Sequence, residues 1–291
     1  MNRGNRGGSA VRVVTGRFSR RRAIVTGASR GIGAGVAERL AAEGAAVALI
    51  ARTVDGHDRL AGSLRETADR LAAYGVLVAL VPVDLSDPEA RAKVVDTAAE
   101  RLGGPIDILV NNAAAAMYGD VADMPLKRRR LLFELNVHAP FDLAQAAIPA
   151  MRSAGQGWIV NVSSASARSW AGPPFALGSQ GATTAAYGAS KSALNRMTNG
   201  LGAELHGTGI RVNTIEPRAA VLTEGADALV GGKLRADQVE TLEQMVEAVV
   251  ALCDCPADVT GASLVSLDLL EEWGIEVRSL DGTAPDDSTT N

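Results

Sequence analysis

The chain has 291 residues and a formal net charge of −4, and 47% of its residues are hydrophobic, which is enough for the core of one large domain. Aromatic residues make up only 3%, which argues against base-stacking surfaces, and the acidic balance argues against a nucleic-acid partner. The longest apolar run, Val76–Val83, is too short to span a bilayer, so no membrane partner is expected.

The two ends of the chain differ in charge from its body. Residues 1–22 contain seven arginines and no acidic residue, without the apolar core of a signal peptide. We predict a disordered basic extension over residues 1–20, one domain over 21–280, and a disordered acidic tail over 281–291. Cys253 and Cys255 are too few for a disulfide framework or a structural metal site, so free thiols in a reducing cytoplasm, with no metal, are expected.

The first predicted strand, Ala23–Thr26, leads into a glycine-rich turn over Gly27–Gly33. A helical pattern then runs from Gly31 to Glu43. Strand, glycine turn and helix in this order favour a dinucleotide site. Glycine lets the backbone approach a pyrophosphate, and the N-terminus of the helix offers free N–H groups.

The second predicted strand, Ala45–Ile50, is followed by Arg52 rather than by the carboxylate that holds the ribose hydroxyls in NAD sites. Arg30 lies in the glycine turn as well. Two guanidinium groups near the adenine ribose suit a 2′-phosphate, which predicts NADP as the cofactor. The alternative is that both arginines are solvated surface charges.

The next predicted elements are helix 58–74, strand 76–83, helix 89–102 and strand 107–110. Asp84 is placed to accept a hydrogen bond from the adenine amine. Asp87 reads as the cap of a helix whose first residue is Pro88. The amide of Asn111 is suited to tying neighbouring strands together, which is a structural role.

A long helix is predicted from Pro125 to about residue 153, and Asn136 in its middle is a poor interior helix former. We expect a break or kink there that frees a backbone carbonyl for water, or else a mild local irregularity. Strand 158–163 follows, and because side chains alternate along a strand, only one of Ser163 and Ser164 faces the site.

Tyr187 and Lys191 are four residues apart on a predicted helix over Tyr187–Leu205, so they share one face of it. An ammonium beside a phenol lowers the pKa of the phenol, and Lys191 is expected to bring that of Tyr187 toward neutrality. The alternative is an exposed surface pair with no role in catalysis.

Strand 210–216, which ends at Pro217, helix 241–252 and strand 262–267 complete the chain. The alternation of strands and helices predicts an α/β fold, a doubly wound parallel sheet in a single domain. Ligands bind such sheets at the carboxyl ends of the strands, where the glycine turn, Ser164 and Pro217 lie. This convergence favours catalysis for Tyr187 and Lys191.

These motifs resemble those of the short-chain dehydrogenase/reductase family over about residues 20–270. Residues 26–33 match its cofactor motif, Asn111-Asn112-Ala113 matches most of its Asn-Asn-Ala-Gly, and its catalytic tetrad is matched in order by Asn136, Ser164, Tyr187 and Lys191. The resemblance implies a Rossmann fold. Within the family, the 3-oxoacyl-thioester reductases look most similar.

The resemblance also implies roles. Tyr187 would be the general acid and base, Ser164 would bind the substrate carbonyl, Lys191 would assist Tyr187 and hold the nicotinamide ribose, and Asn136 would hold a water of a proton relay. The implied cofactor-binding residues are Thr26, Gly27, Ser29, Arg30, Gly31, Ile32, Gly33, Arg52, Asp84, Leu85, Asn112, Ala113, Tyr187, Lys191 and Pro217.

The implied activity is the NADP(H)-dependent interconversion of a ketone and a secondary alcohol by a homo-oligomer, a dimer or tetramer, whose partner is a small carbonyl or alcohol substrate. Two alternatives belong to other classes of protein. A non-catalytic NADP-binding sensor or scaffold would not need Ser164 and Tyr187 together. A non-redox Rossmann enzyme such as a methyltransferase would not need the pair of Tyr187 and Lys191.

The chain departs from the family pattern at several positions. Ala114 replaces the motif glycine, Arg218 follows Pro217 where glycine is usual, and Thr223 lies one residue late. Arg218 either brings charge to the mouth of the site or points into solvent. Ser164 and Tyr187 are farther apart than usual, and we expect the inserted segment 170–181 to form a rim or lid that shapes substrate specificity.

Overall fold

The computed structural model describes residues 16–56, 61–175, 177, 181–221, 223 and 239–284. Strands and helices alternate along the chain as the sequence predicts. The strands are β1 (Arg22–Thr26), β2 (Ala46–Ala51), β3 (Val78–Pro82), β4 (Ile108–Asn111), β5 (Gly157–Val162), β6 (Ile210–Glu216), β7 (Ala220–Val221), β8 (Val239–Glu240) and β9 (Ser263–Val265).

In the described residues, seven strands form one parallel sheet in the order β3-β2-β1-β4-β5-β6-β9, and β7 pairs with β8. The strand order reverses beside β1, whose Thr26 pairs with Ile50 of β2 and whose Val25 pairs with Val110 of β4. The crevice between the carboxyl ends of β1 and β4 is therefore the topological switch point, where doubly wound sheets bind ligands. The predicted fold class is confirmed.

Helices cover both faces of this sheet. They are α1 (Gly31–Ala42), α2 (Leu64–Leu71), α3 (Pro88–Arg91), α4 (Val94–Arg101), α5 (Leu126–Phe133), α6 (Ala139–Ala154), α7 (Ala185–Glu204), α8 (Leu242–Leu252) and α9 (Ser266–Trp273). Successive side chains of β1 enter opposite cores, because Val25 packs with α1 and α8, whereas Ile24 packs with α4 and α6. The sheet is thus buried on both faces.

Helix α2 begins later than the sequence indicates. Residues 57–60, at the start of the predicted helix 58–74, lie outside the described residues, and α2 begins at Leu64. The Ser63 side chain accepts a hydrogen bond from the backbone N–H of Glu66 at 3.1 Å, and this cap fixes the first turn of the helix.

The predicted helix 89–102 is divided into α3 and α4. Asp87 caps α3 as predicted, since its Oδ1 accepts a hydrogen bond from the backbone N–H of Glu89 at 2.9 Å. After α3, the backbone N–H of Lys93 bonds to Ala90 O, three residues back, which tightens the chain before α4 begins.

The long helix predicted from Pro125 is interrupted at Asn136, as the sequence predicts. Residues Glu134–His138 form a π-helical turn between α5 and α6, in which Ala139 N–H bonds to Glu134 O. A π turn shifts the hydrogen-bond pattern by one residue and so turns the Asn136 side chain inward, where it is buried.

The end of the sheet differs from the predicted strand 262–267. Strand β9 covers only Ser263–Val265, and α9, which the sequence analysis missed, begins at Ser266. The Ser266 hydroxyl donates to Glu240 Oε2 of β8 at 2.7 Å, a contact between residues far apart in the chain that fixes the start of α9.

Residues 1–15 and 285–291, which include most of the predicted extension and tail, lie outside the described residues. Residues 16–20 are described, and Phe18 among them is buried in the core. Cys253 and Cys255 are free and buried. The domain boundaries at residues 20 and 280 stay predictions.

Candidate active site

Glycine shapes the turn that follows β1. Gly27 has a φ of 68° and Gly31 a φ of 53°, both in the left-handed region that favours glycine. A Cβ atom on Gly33 would lie 2.4 Å from both Asn112 Nδ2 and Gly27 O. Helix α1 therefore approaches the turn this closely only because position 33 has no side chain.

Thr26 and Asn112 tie the turn to the end of β4. Thr26 Oγ1 accepts hydrogen bonds from the backbone N–H groups of Asn112 at 2.9 Å and Ala113 at 3.0 Å. Asn112 Nδ2 donates to Thr26 O at 2.9 Å. Both side chains thus bind the protein backbone, and they hold the two strand ends on either side of the crevice.

A cavity of about 380 Å³ opens along the carboxyl ends of β1 to β4. Most of the predicted cofactor-binding residues line it, namely Gly27, Ser29, Arg30, Gly31, Ile32, Arg52, Asp84, Leu85, Asn112 and Ala113. Of the other predicted residues, Thr26 and Gly33 shape the turn, whereas Tyr187, Lys191 and Pro217 lie outside the residues that line this cavity.

Two arginines border the cavity beside one carboxylate. Arg30 Nη2 donates to Gly62 O at 3.2 Å, whereas its buried Nε has no hydrogen-bond partner among the described residues. Partial burial acts to raise the pKa of Asp84, but hydrogen bonds from Ser86 and the nearby charge of Arg52 outweigh it, and the pKa is lowered. Two guanidinium groups, one with an unused donor, fit a phosphorylated dinucleotide.

Tyr187 is buried near the start of α7. Burial raises its pKa to about 12, the neighbouring Tyr118 acts in the same direction, and a hydrogen bond with the Ser164 side chain lowers it in part. The expectation that Lys191 lowers the pKa of Tyr187 toward neutrality is wrong for this structure, because burial dominates and the ammonium of Lys191 has another partner.

Lys191 bonds to the carboxyl end of β5. Lys191 Nζ donates to Val162 O at 2.7 Å, and the side chain is only 3% exposed. Burial lowers the pKa of Lys191 to about 8. The face shared by Tyr187 and Lys191 is therefore buried, and the reading of an exposed surface pair is wrong.

The two serines after β5 contact different residues of α7. Ser163 Oγ donates to Asn195 Oδ1 of α7 at 2.5 Å, so this hydroxyl is occupied. The Ser164 side chain accepts from Ser166 N–H at 3.2 Å and lies close enough to the Tyr187 phenol to lower its pKa in part. The structure thus brings Ser164 and Tyr187 together.

Asn136 connects three segments of the chain. Its Oδ1 accepts from Ala115 N–H and its Nδ2 donates to Ala115 O, both at 2.9 Å. Nδ2 also donates to Ser190 Oγ at 2.9 Å, and that hydroxyl donates to Tyr187 O at 2.6 Å. The π turn therefore fixes the loop after β4 to the first turns of α7.

Asn111 has the structural role that its sequence position indicated. Its Nδ2 donates to Asn161 Oδ1 at 2.8 Å and so joins β4 to β5. Asn161 Nδ2 in turn donates to Thr198 Oγ1 of α7 at 2.8 Å. This chain of buried amides holds the central strands against the helix that carries Tyr187.

The structure decides between the two alternatives for Arg218. Its Nε donates to Asp268 Oδ1 at 2.6 Å, and its Nη1 donates to Glu271 Oε1 at 3.2 Å. The side chain therefore lies along α9 and not at the mouth of the site. Thr223 packs over Gly31, where a Cβ atom would meet its Cβ at 3.0 Å, and Ala114 lines the cavity.

The sequence analysis missed two residues of this region. Tyr118 packs against Tyr187 with ring centroids 5.6 Å apart and planes at 78°. Arg91 is buried, donates to Leu85 O at 2.6 Å beside the cavity, and pairs with Glu134 of the π turn at 2.8 Å. Tyr118 belongs to no motif, and only the rarity of tyrosine, which occurs three times in the chain, could have drawn attention to it from the sequence.

The described part of the chain lacks two other kinds of feature. None of its helices combines the length and the apolar character that crossing a bilayer requires. Nor does a cluster of three or more histidine, cysteine, aspartate or glutamate side chains suited to a metal ion occur there.

Comparison with known proteins gives matches over most of the chain. A family model described as short chain dehydrogenase matches residues 21–233. The curated hydroxysteroid dehydrogenase-like protein 2 of Mus musculus is 30% identical over 272 residues, which are 93% of this chain and 53% of that protein. The chain thus spans about half the length of this relative.

Solved structures match this fold over most of both chains. A short-chain type dehydrogenase/reductase from Mycobacterium marinum is 30% identical with a TM-score of 0.72, covering 88% of this chain and 97% of the other. L-Sorbose reductase from Gluconobacter frateurii, complexed with NADPH and L-sorbose, is 29% identical with a TM-score of 0.72, covering 87% and 96% of the two chains.

Proposed function

Because the chain belongs to the short-chain dehydrogenase family, we propose that it is an NADP(H)-dependent oxidoreductase that interconverts a ketone and a secondary alcohol. The contact between Ser164 and Tyr187, beside a crevice that a glycine turn leaves open, is the observation that carries this proposal. A dinucleotide-binding scaffold without catalysis would have no need of two hydroxyl groups held together at that point.

Tyr187 has the protonation state that ketone reduction requires. With a pKa of about 12 its phenol is protonated at neutral pH and can donate the proton to the substrate oxygen. Ser164 would donate a second hydrogen bond to the same oxygen and stabilise the negative charge that develops on it. In alcohol oxidation the same groups act in reverse. The bound nicotinamide supplies or accepts the hydride.

Lys191 and Asn136 support this chemistry in the proposal. A Lys191 ammonium with a pKa of about 8 can exchange protons near neutral pH. We propose that it binds the nicotinamide ribose and stabilises the tyrosinate that forms when Tyr187 gives up its proton. Asn136, in the π turn, would hold a water that connects Lys191 to solvent. Pro217 would lie beside the carboxamide.

The glycine turn and the two arginines would hold the cofactor. The N-terminus of α1 offers N–H groups to the pyrophosphate, and Arg30 and Arg52 would bind the 2′-phosphate that distinguishes NADP from NAD. Two observations support this preference: Arg30 Nε has no hydrogen-bond partner among the described residues, and Arg52 rather than a carboxylate follows β2 in the sequence. The NADPH bound to the sorbose reductase is consistent with it.

Finer assignments follow from the resemblance and not from the site. We propose a 3-oxoacyl thioester or a related ketone as substrate, a dimer or tetramer as the assembly, and the cytoplasm as the location. The inserted segment 170–181 would form the rim on the substrate side. Its Phe175 and Leu177 are exposed, while residues 176 and 178–180 lie outside the described residues.

The proposal is tested by NADPH oxidation with a panel of ketones that includes acetoacetyl-CoA. Wild-type protein should reduce at least one of them, and Tyr187→Phe should lose activity by about 10³-fold because the proton donor is gone, while NADPH still binds. Tyr74→Phe, which removes a distant phenol bonded to Glu38, is the matched control and should keep full activity. NADPH binding without turnover of any ketone would favour a scaffold protein.

A further inference from the structure

The loop after β4 places a second tyrosine against Tyr187. The ring of Tyr118 meets that of Tyr187 edge to face, with centroids 5.6 Å apart. This geometry is the one that aromatic pairs favour. The ring of Tyr118 therefore restricts the directions in which the Tyr187 ring can tilt.

Tyr118 is held in place from both sides. Three residues before it, Ala115 exchanges two hydrogen bonds with Asn136 of the π turn. One residue after it, Gly119 N–H donates to Thr183 O, just before α7, at 2.9 Å. The loop that carries Tyr118 is thus fixed to the same two elements that position Tyr187.

The hydroxyl of Tyr118 is available for a ligand. It makes no hydrogen bond to the described part of the chain, although the side chain is half-buried. Partial burial raises the pKa of this phenol, so it is a protonated donor at neutral pH.

The reacting oxygen does not need this third donor. A carbonyl oxygen has two lone pairs, and the hydroxyl groups of Ser164 and Tyr187 can use both. A hydrogen bond from Tyr118 would then have to go to a different oxygen of the same substrate, one close to the carbonyl that is reduced.

We propose that Tyr118 is a positioning and substrate-binding residue, whose ring fixes the orientation of Tyr187 and whose hydroxyl binds a second oxygen near the reacting carbonyl. This inference rests on the proposed function and narrows its substrate class. Ketones with a neighbouring ester, thioester or hydroxyl oxygen are favoured over simple aliphatic ketones.

Two variants separate the ring from the hydroxyl. Tyr118→Phe keeps the ring and removes the donor, whereas Tyr118→Leu removes both. Each is compared with wild type on ethyl acetoacetate and on 2-heptanone, which has a similar chain length and lacks the ester oxygens. Tyr74→Phe is the control for loss of a phenol elsewhere.

For Tyr118→Phe, kcat/KM should fall about 5- to 10-fold with ethyl acetoacetate, the loss expected for one neutral hydrogen bond, and stay within twofold with 2-heptanone. For Tyr118→Leu, kcat should fall at least tenfold with both ketones because Tyr187 is no longer aligned. The KM for NADPH should stay unchanged in both variants, which a general loss of structure would not allow.

Three results overturn the assignment. If Tyr118→Phe lowers kcat/KM equally with the two ketones, the hydroxyl does not bind a second substrate oxygen. If Tyr118→Leu keeps the full kcat, the ring does not orient Tyr187. A wild-type protein that binds NADPH and reduces no ketone would overturn the proposed function itself, and the assignment of Tyr118 would fall with it.

Discussion

The two ends of the ligand crevice are held together in different ways. At the dinucleotide end, the turn after β1 is fixed by backbone conformation, by the absence of side chains at Gly27 and Gly33, and by hydrogen bonds to main-chain atoms. At the other end, beside which we propose that the substrate binds, the segments after β5 and β6 are held by pairs of charged side chains, Arg168 with Glu216 and Arg218 with α9.

This difference has a functional consequence. Backbone geometry tolerates almost no change of residue, whereas ion pairs between side chains can be exchanged for others at little cost when they are exposed. A cofactor is the same molecule in every reaction of an enzyme family, and substrates differ. We infer that the rigid end suits the constant ligand and the adjustable end the variable one, and four substitutions test this contrast.

The largest effect is expected at the dinucleotide end from Gly33→Ala. A Cβ atom there would lie 2.4 Å from backbone and side-chain atoms that cannot move without opening the turn. NADPH binding, measured by fluorescence titration, should weaken by at least tenfold, and the free energy of unfolding should fall by about 1–3 kcal/mol.

Gly56→Ala is the matched control for that experiment, because a Cβ atom on Gly56 would have nothing within 4 Å of it. It should leave both quantities unchanged. If both variants bind NADPH and unfold like the wild-type protein, the turn adapts to a side chain. That result would contradict the contrast between a rigid and an adjustable end.

An intermediate effect is expected from Arg52→Ala. If Arg52 binds the 2′-phosphate, the Kd for NADPH should rise about tenfold, as for other charge-assisted hydrogen bonds, and the Kd for NADH should stay within twofold. Arg70→Ala, which breaks the exposed pair with Glu38, is the control. Parallel weakening of both cofactors would contradict the assignment.

The smallest effect is expected at the substrate end from Arg218→Gln. Its partners Asp268 and Glu271 are exposed and can be solvated, so kcat and the KM for NADPH should change by less than twofold. Arg168→Gln should change kcat more than Arg218→Gln does, because it leaves the buried Glu216 without its cation. A selective loss of activity of Arg218→Gln with anionic substrates would place Arg218 at the substrate after all.

The same contrast explains what the sequence could predict. The fold class, the glycine turn at the carboxyl end of a strand and the break at Asn136 depend on local residue patterns, whereas the order of the strands came from the structure. Strand 210–216 was predicted with its observed bounds. Caps such as Asp87 were readable as well, because the cap and its partner are neighbours in the chain.

Features that depend on distant contacts were not readable. Helix α9 starts where the Ser266 hydroxyl meets Glu240, and nothing near Ser266 indicates that partner. The pKa of Tyr187 depends on how deeply the ring is buried and on Lys191 bonding to Val162 O, and both follow only from the packed structure. Tyr118 lies in a loop without a motif, so its contact with Tyr187 follows only from the folded structure.

The burial of the two cysteines determines how the protein can be labelled. Cys253 and Cys255 are the only thiols in the chain, both are buried, and burial raises the pKa of Cys255 to about 12 and that of Cys253 further. Alkylating reagents attack thiolates, so neither thiol will react at neutral pH in the folded state. A cysteine placed at the exposed Phe175 would accept a fluorophore selectively, and its emission would report on the segment 170–181, which we propose forms the rim of the substrate site.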